Sequence, residues 1–267
     1  MARLVFYLLL VWLTIIFIFL PHYVELTGVL ETWFSTQGLV YYKDFAAYHF
    51  PLGRLILLPI HLISNWNLEV DPWLGLIIGL ATLYTIYIFG QRFLSVVGTA
   101  ISLVFFSIFF WYAATGILFF HEILIGLFLA LIIYLLFKLH NERKVNNRLI
   151  FSLGILIAIT ELAGQIATIT LGVISILTLY EISKKHVKNT ILYYGTFLAG
   201  IAIPFLLFSI YFLLKGALLE FYHYNITYYL LYANYKRDSL LSLPIADLLV
   251  FYIPLLALLA ITLLQKL

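Results

Sequence analysis

The chain has 267 residues, of which 64% are hydrophobic and only 10% are charged. A soluble domain typically has about 25% charged residues, so this composition excludes an ordinary water-soluble protein and indicates an integral membrane protein. The absence of cysteine excludes disulfides, thiolate metal sites and thiol nucleophiles. The formal net charge of +3 is too small to indicate a nucleic-acid partner.

Apolar segments that could cross a bilayer follow one another along the chain, given that a spanning helix needs about 20 such residues. The first segment is interpreted as a retained anchor, because the residues after it lack the small side chains that signal peptidase requires. We predict an all-α fold, one transmembrane domain over residues 1–267 with about eight spans. The predicted spans are 4–20, 72–90, 95–113, 117–139, 149–160, 166–180, 190–214 and 245–264.

The apolar stretch 149–180 is divided into two spans because polar residues interrupt its middle. Glu161 and Gln165 lie there beside a glycine, a set that a lipid-facing helix does not carry. Four residues apart, the two would share a face if they were on one helix. They are candidates for lining a cavity. A structural hydrogen bond between helices explains them equally well.

The distribution of charge predicts the orientation. Ten of the 15 basic residues fall on one side of the eight-span arrangement, and ten of the 12 acids fall on the other. Short loops rich in Lys and Arg stay in the cytoplasm, so both termini are expected to be cytoplasmic. Residues 21–71 and 215–244 are then the long outer loops, and segment 53–64 is expected to lie in the interface as a short amphipathic helix.

The first outer loop contains an aromatic stretch, 41–50, whose one acid is Asp44. A carboxylate that is partly removed from water has a raised pKa, which suits a general base. Tyr42 and His49 are candidates for contacting a substrate beside it. Alternatively, Asp44 pairs with Lys43 or Arg54 at the water boundary.

His121 and Glu122 stand together at the outer start of the fourth span. An ionisable pair at this depth is costly unless it faces a cavity. An acid is also stabilised at a helix N-terminus by the helix dipole, which explains Glu122 but not His121. Adjacent residues on a helix diverge by about 100° and rarely bind one ion, so a divalent metal is a weaker expectation.

The second outer loop is rich in aromatic residues, including Tyr224, and continues to Lys236 and Arg237. Tyrosines at this position commonly form the interfacial belt. They could equally offer stacking surfaces to sugar rings, and the two cations suit a phosphate.

Taken in order along the chain, these features resemble the membrane glycosyltransferases of the GT-C fold that use polyprenyl-phosphate sugars, such as protein O-mannosyltransferases and the bacterial aminoarabinose transferase. A Tyr-x-Asp-Phe element at 42–45 precedes a Pro- and Gly-containing bend at 50–53. A Gly-Gln-Arg-Phe turn follows at 90–93, Glu122 opens a later span, and a Gly-Ala-Leu element leads into an aromatic stretch over 216–235.

The resemblance implies transfer of a sugar from a polyprenyl-phosphate carrier to a protein, lipid or glycan acceptor at the outer face. Asp44 would act as the general base with Glu122 as a second catalytic acid, while Arg54, Lys236 and Arg237 would bind the donor phosphate. The chain departs from the family at Glu161, where a Thr-Lys-Pro element is common, and it is shorter than most members. A transporter, a lipid flippase and a non-catalytic membrane subunit are the alternatives.

Overall fold

A computed structural model describes residues 2–19, 26–45, 47, 51–112, 120–142, 146–164, 168–185 and 190–227, and every regular element in these ranges is helical. The helices are α1 (Ala2–Phe19), α2 (Leu26–Thr36), α3 (Leu52–Ile63), α4 (Val70–Phe93), α5 (Val96–Tyr112), α6 (Phe120–Asn141), α7 (Asn147–Ala163), α8 (Thr168–Lys185), α9 (Thr190–Leu214) and α10 (Leu218–Tyr222), followed by a π-helical turn, His223–Thr227. The chain divides into two compact units, Met1–Phe221 and Tyr222–Leu267.

Four helices of the described residues are long and apolar enough to cross a membrane: Ala2–Phe19, Val70–Phe93, Glu122–Asn141 and Thr190–Leu214. The all-helical fold with membrane-spanning helices agrees with the prediction, whereas the count of about eight spans is not confirmed. The helices α5 and α7 are short for a span, with 17 residues each. The helix α8 has 18 residues, but its last turns are charged. The eighth predicted span, 245–264, lies outside the described residues.

The predicted break within 149–180 is present. α7 ends at Ala163, and its Gly164 cap has an extended backbone with φ 173° and ψ 140°. The next helix begins at Thr168. Glu161 therefore lies in the last turn of α7. Gln165 lies outside the described residues, so the shared helical face considered for the two residues stays a prediction.

Successive long helices alternate in direction, so that their charged ends meet. The start of α1 lies beside the end of α4, where the Phe6 and Tyr87 rings are 4.5 Å apart. The end of α4 meets the end of α6 through a hydrogen bond from Arg92 to the Tyr134 hydroxyl. At the end of α6, His140 Nδ1 lies 3.0 Å from a carboxylate oxygen of Glu181 in α8. One end of the bundle thus carries Arg3, Arg92, Lys138 and Lys184, the pattern that the charge distribution predicted for the cytoplasmic side.

The tightest packing in the bundle joins α7 to α9. A Cβ placed on Gly154 would lie 2.4 Å from the carbonyl oxygen of Phe197, and one on Gly200 would lie 2.5 Å from that of Phe151. Glycine at both positions lets the two backbones touch, which is a common device where helices pack within a membrane. Leu153 and Ile157 are buried in the same core.

Candidate functional site

The aromatic stretch of the first outer loop folds into a compact turn. Tyr42 N–H donates to the Phe45 carbonyl at 2.9 Å, and Asp44 N–H donates to the Val40 carbonyl at 3.0 Å. Tyr42 has a φ of 70°, a left-handed conformation that is uncommon for a bulky residue and must be held by its surroundings. The turn therefore presents its side chains in a fixed arrangement.

Asp44 lies at the exposed surface of this turn. One of its carboxylate oxygens accepts a hydrogen bond from Val40 N–H at 2.7 Å, which orients the side chain within its own loop. Across the described part of the chain, no ion pair joins Asp44 to Lys43 or Arg54. The carboxylate is accordingly oriented and open to solvent. The partial removal of Asp44 from water that the sequence analysis expected is therefore not observed, because the turn presents this side chain on its outer surface.

Arg54 forms an ion pair with a residue that the sequence analysis did not single out. Its Nε donates to a carboxylate oxygen of Glu31 at 3.2 Å, and their side chains are only 7% and 19% exposed. The pair joins the start of α3 to α2. The structure thus places Arg54 inside the protein, where it supports the loop, and not on the open surface expected of a donor-phosphate ligand.

Tyr41 lies directly on this buried pair. Its side chain is almost fully buried, and its hydroxyl has no hydrogen-bond partner among the described residues. Loss of hydration is the main cause that raises the pKa of Tyr41 to about 12, with a smaller contribution from the Glu31 carboxylate. The Ser35 hydroxyl, the Arg54 guanidinium and the Thr32 hydroxyl lower that pKa, but together they do not offset the effect of burial. The phenol therefore stays neutral in the folded protein.

The tip of the turn docks on the junction between α9 and α10. The ring of Tyr42 is buried, 5.6 Å from the ring of Phe212 and 6.0 Å from that of Phe221. Lys43 donates to the carbonyl oxygen of Lys215 at 3.5 Å, a position where a cation faces the negative end of the α9 dipole. The two outer loops predicted from the sequence therefore come together, but Tyr42 serves as an internal anchor and does not line an open site.

Gly216 makes this docking possible. Its φ of 63° is left-handed, and Ala217 N–H donates to the Phe212 carbonyl at 2.8 Å, so α9 ends in the reversal that glycine favours. The reversal stacks Phe221 on Phe212 with ring centres 4.5 Å apart. Phe212 was missed in the sequence because an aromatic residue in a span looks the same whether it faces lipid or protein. Phe221 was missed because it is one of many aromatic residues in the second predicted outer loop.

The other predicted site residues are dispersed or not described. Glu122 is half-buried in the first turn of α6, where His121 also lies, and Glu161 is half-buried near the end of α7. Tyr224 belongs to the second compact unit, and its ring lies edge-on to that of His223. His49, Gln165, Lys236 and Arg237 lie outside the described residues.

A metal centre is not evident in the described residues, where no three His, Asp or Glu side chains are grouped to hold an ion. Metal dependence accordingly stays a prediction. Comparison with known proteins finds no match to any protein family, curated protein or solved structure.

Chemically, the site combines two exposed groups of the docked turn with a buried support formed by the neighbouring helices. Asp44 supplies an exposed and oriented proton acceptor. Lys43, the next residue along the chain, supplies an exposed cation. Beneath them, the buried Glu31–Arg54 pair and Tyr41 form a support that is closed to solvent. An exposed base beside an exposed cation suits transfer of a group from an anionic donor to a hydroxyl.

Proposed function

We propose that the protein is a membrane glycosyltransferase that moves a sugar from a polyprenyl-phosphate donor to an acceptor on the outer face. The observation that carries the proposal is the docked turn, which puts Asp44 and Lys43 side by side at the end of the bundle away from the basic cluster. The order of sequence elements supports it, since the turn is formed by the Tyr-x-Asp-Phe element at 42–45.

In the proposed reaction, Asp44 is the general base. Its carboxylate takes the proton of the acceptor hydroxyl while the acceptor oxygen forms a bond to the anomeric carbon of the sugar. The bond between that carbon and the donor's phosphate oxygen breaks, and the polyprenyl phosphate leaves with the electron pair. The Val40 N–H holds the carboxylate in place by donating a hydrogen bond to one of its oxygens. The other oxygen is then available to take the proton.

The donor phosphate needs a cation, and the geometry favours Lys43 over Arg54. Lys43 is exposed next to the proposed base, whereas Arg54 is buried against Glu31. A cation placed where negative charge develops stabilises the leaving phosphate. Lys236 and Arg237 remain candidates for the same role from the second outer loop.

The test is a transfer assay on the purified full chain in lipid nanodiscs, with radiolabelled polyprenyl-phosphate hexoses and aminoarabinose as donors. We expect release of free polyprenyl phosphate together with labelled acceptor. Lys43→Gln should raise the KM for donor about tenfold, the size expected for losing one charge-assisted contact of about 1.4 kcal/mol. Lys138→Gln, which changes the same charge at the opposite end of the bundle, should leave the KM unchanged. If no sugar is transferred in nanodiscs and the donor crosses the membrane intact in sealed proteoliposomes, the protein is a flippase and the proposal is wrong.

A further inference from the structure

Helix α3 turns its polar side chains into the protein. Arg54, Leu57 and His61 recur at intervals of three and four residues and form one buried face, while Leu62 and Ile63 are exposed. On a water-exposed helix the polar side chains usually face outward and the apolar ones inward. The opposite arrangement in α3 suits a helix whose outer side contacts lipid. Both ionisable residues of that buried face find an acid on a different neighbouring helix.

At the C-terminal end of α3, His61 meets α4. The imidazole is completely buried, and its Nε2 lies 3.2 Å from a carboxylate oxygen of Asp71 in the first turn of α4. The two atoms are within ion-pair distance but are not aligned for a linear hydrogen bond. The Asp71 side chain is itself largely buried, so the contact lies inside the protein.

The turn after α3 closes over His61. The Trp66 indole stacks on the imidazole at 5.2 Å with an interplanar angle of 4°, and Trp66 N–H donates to the His61 carbonyl at 2.8 Å. Asn65 and Trp66 have φ values of 52° and 63°, a left-handed pair that is unusual for tryptophan. A strained turn persists only where the structure around it is firmly fixed. The C-terminal end of α3 is therefore a firmly held point.

The two polar contacts hold α3, a continuous helix that contains Pro59, near both of its ends. Arg54 and His61 are seven residues apart, which is two helical turns or about 10 Å along the same face. Arg54 joins α3 to α2 through Glu31, and His61 joins α3 to α4 through Asp71. A rotation or slide of α3 at one end moves the side chain at the other.

We propose that His61 and Asp71 are positioning residues for the candidate site, because they fix α3 on α4 and so keep Arg54 paired with Glu31 beneath the turn that carries Asp44. The expected effect of His61 and Asp71 on sugar transfer rests on the proposed function. Their expected effect on the Glu31–Arg54 pair is independent of that function, because it follows from the helix geometry alone.

The experiment reads the buried pair directly. Tyr41 is replaced by 3-fluorotyrosine in the full-length protein in nanodiscs, and its ionisation is followed by ¹⁹F NMR. The ring should titrate about two pH units above the free amino acid, as burial beside Glu31 raises the pKa of Tyr41. In His61→Gln and in Asp71→Asn the midpoint should fall by about one pH unit, because a displaced α3 admits water to the pair. The double variant should fall no further than either single one.

Leu62→Ala is the matched control, because it alters the exposed side of the same helix and should leave the midpoint unchanged. In Asp71→Glu, which keeps a carboxylate at this position, the Tyr41 titration midpoint should stay close to the wild-type value. If the Tyr41 titration midpoint in Asp71→Asn equals that of the wild type, the proposal is wrong. If His61→Gln fails to accumulate, the midpoint in Asp71→Asn is by itself sufficient to test the proposal. If the midpoints fall as expected but the wild-type protein transfers no sugar, the positioning role stands and the proposed function is wrong.

Discussion

Arg54 and Glu31 form a buried ion pair, with Arg54 Nε 3.2 Å from a Glu31 carboxylate oxygen, close enough to Tyr41 of the turn that both charges affect its pKa. The pair joins the two short helices α2 and α3. Placing two charges in a region with little water requires that each remain paired. The contact therefore ties the shape of the loop to the integrity of a single pair.

Removing one partner of this pair should destabilise the protein strongly. We expect Glu31→Gln and Arg54→Met each to cost about 3 kcal/mol, since each leaves a buried charge uncompensated. The double variant Glu31→Leu/Arg54→Met should recover at least half of that loss. Equilibrium unfolding in mixed micelles measures all three. Additive losses in the double variant would show that the two residues do not act as a pair.

The raised pKa of Tyr41 predicts that the folded protein loses stability at alkaline pH. Its pKa is raised from 10.0 to about 12 in the folded protein, so its contribution is complete below about pH 10 and is lost as the pH rises through 12. Between these values the unfolded chain releases the phenol proton first, which costs the native state about 2–3 kcal/mol. Tyr41→Phe should abolish this part of the pH dependence while keeping neutral-pH stability, because the buried hydroxyl forms no hydrogen bond within the described residues. Identical alkaline unfolding curves for the two proteins would contradict the assignment.

Sequence reasoning predicted the local features of this fold well. The run of apolar residues around Pro59 predicted a short helix at α3, and the polar interruption after Thr160 predicted the break before α8. Such signals depend on residues that are close in sequence, so periodicity and composition reveal them. The predicted outer loops 21–71 and 215–244 contact each other through Lys43 and the Lys215 carbonyl, while their placement on the outer side stays a prediction.

The partners of the polar residues could not be predicted in this way. Asp44 and Arg54 were natural candidates to pair, yet Arg54 turns towards Glu31, more than twenty residues earlier in the chain. The left-handed backbone at Tyr42 directs its ring inward, and no pattern of residue types indicates that a tyrosine adopts this conformation. The number of spans was uncertain for a related reason, since helices of 17 or 18 residues satisfy hydropathy without showing how they sit in a bilayer.

The contact between α7 and α9 should not tolerate a side chain. Gly154→Ala would bring its Cβ to 2.4 Å from the Phe197 carbonyl oxygen, which forces the helices apart. We expect a loss of about 2 kcal/mol or more, as for other overpacked cores. Gly172→Ala in α8 is the control, since a Cβ there meets nothing within 4 Å and alanine is the better helix former. A variant Gly154→Ala as stable as Gly172→Ala would contradict the packing.

The orientation can be tested on a chain that contains no cysteine of its own. Gln37→Cys, in the turn after α2, should react with an impermeant thiol reagent added to intact cells. Asn141→Cys, at the basic end of α6, should react only after the cells are opened, because basic ends stay in the cytoplasm. Labelling of position 141 but not of position 37 in intact cells would reverse the orientation and place the candidate site inside.

In the proposed reaction the Asp44 carboxylate takes the proton of the acceptor hydroxyl, and the substitution Asp44→Asn tests this role. Asp44→Asn keeps a side-chain oxygen that can accept the Val40 N–H, so the turn should stay folded, but it removes the proton acceptor. General-base catalysis contributes about 10²- to 10⁴-fold to a rate, so kcat for sugar transfer should fall at least a hundredfold while donor binding persists. Glu69→Gln, which neutralises another exposed outer acid, should keep the wild-type kcat. Transfer by Asp44→Asn at the wild-type kcat would contradict the claim.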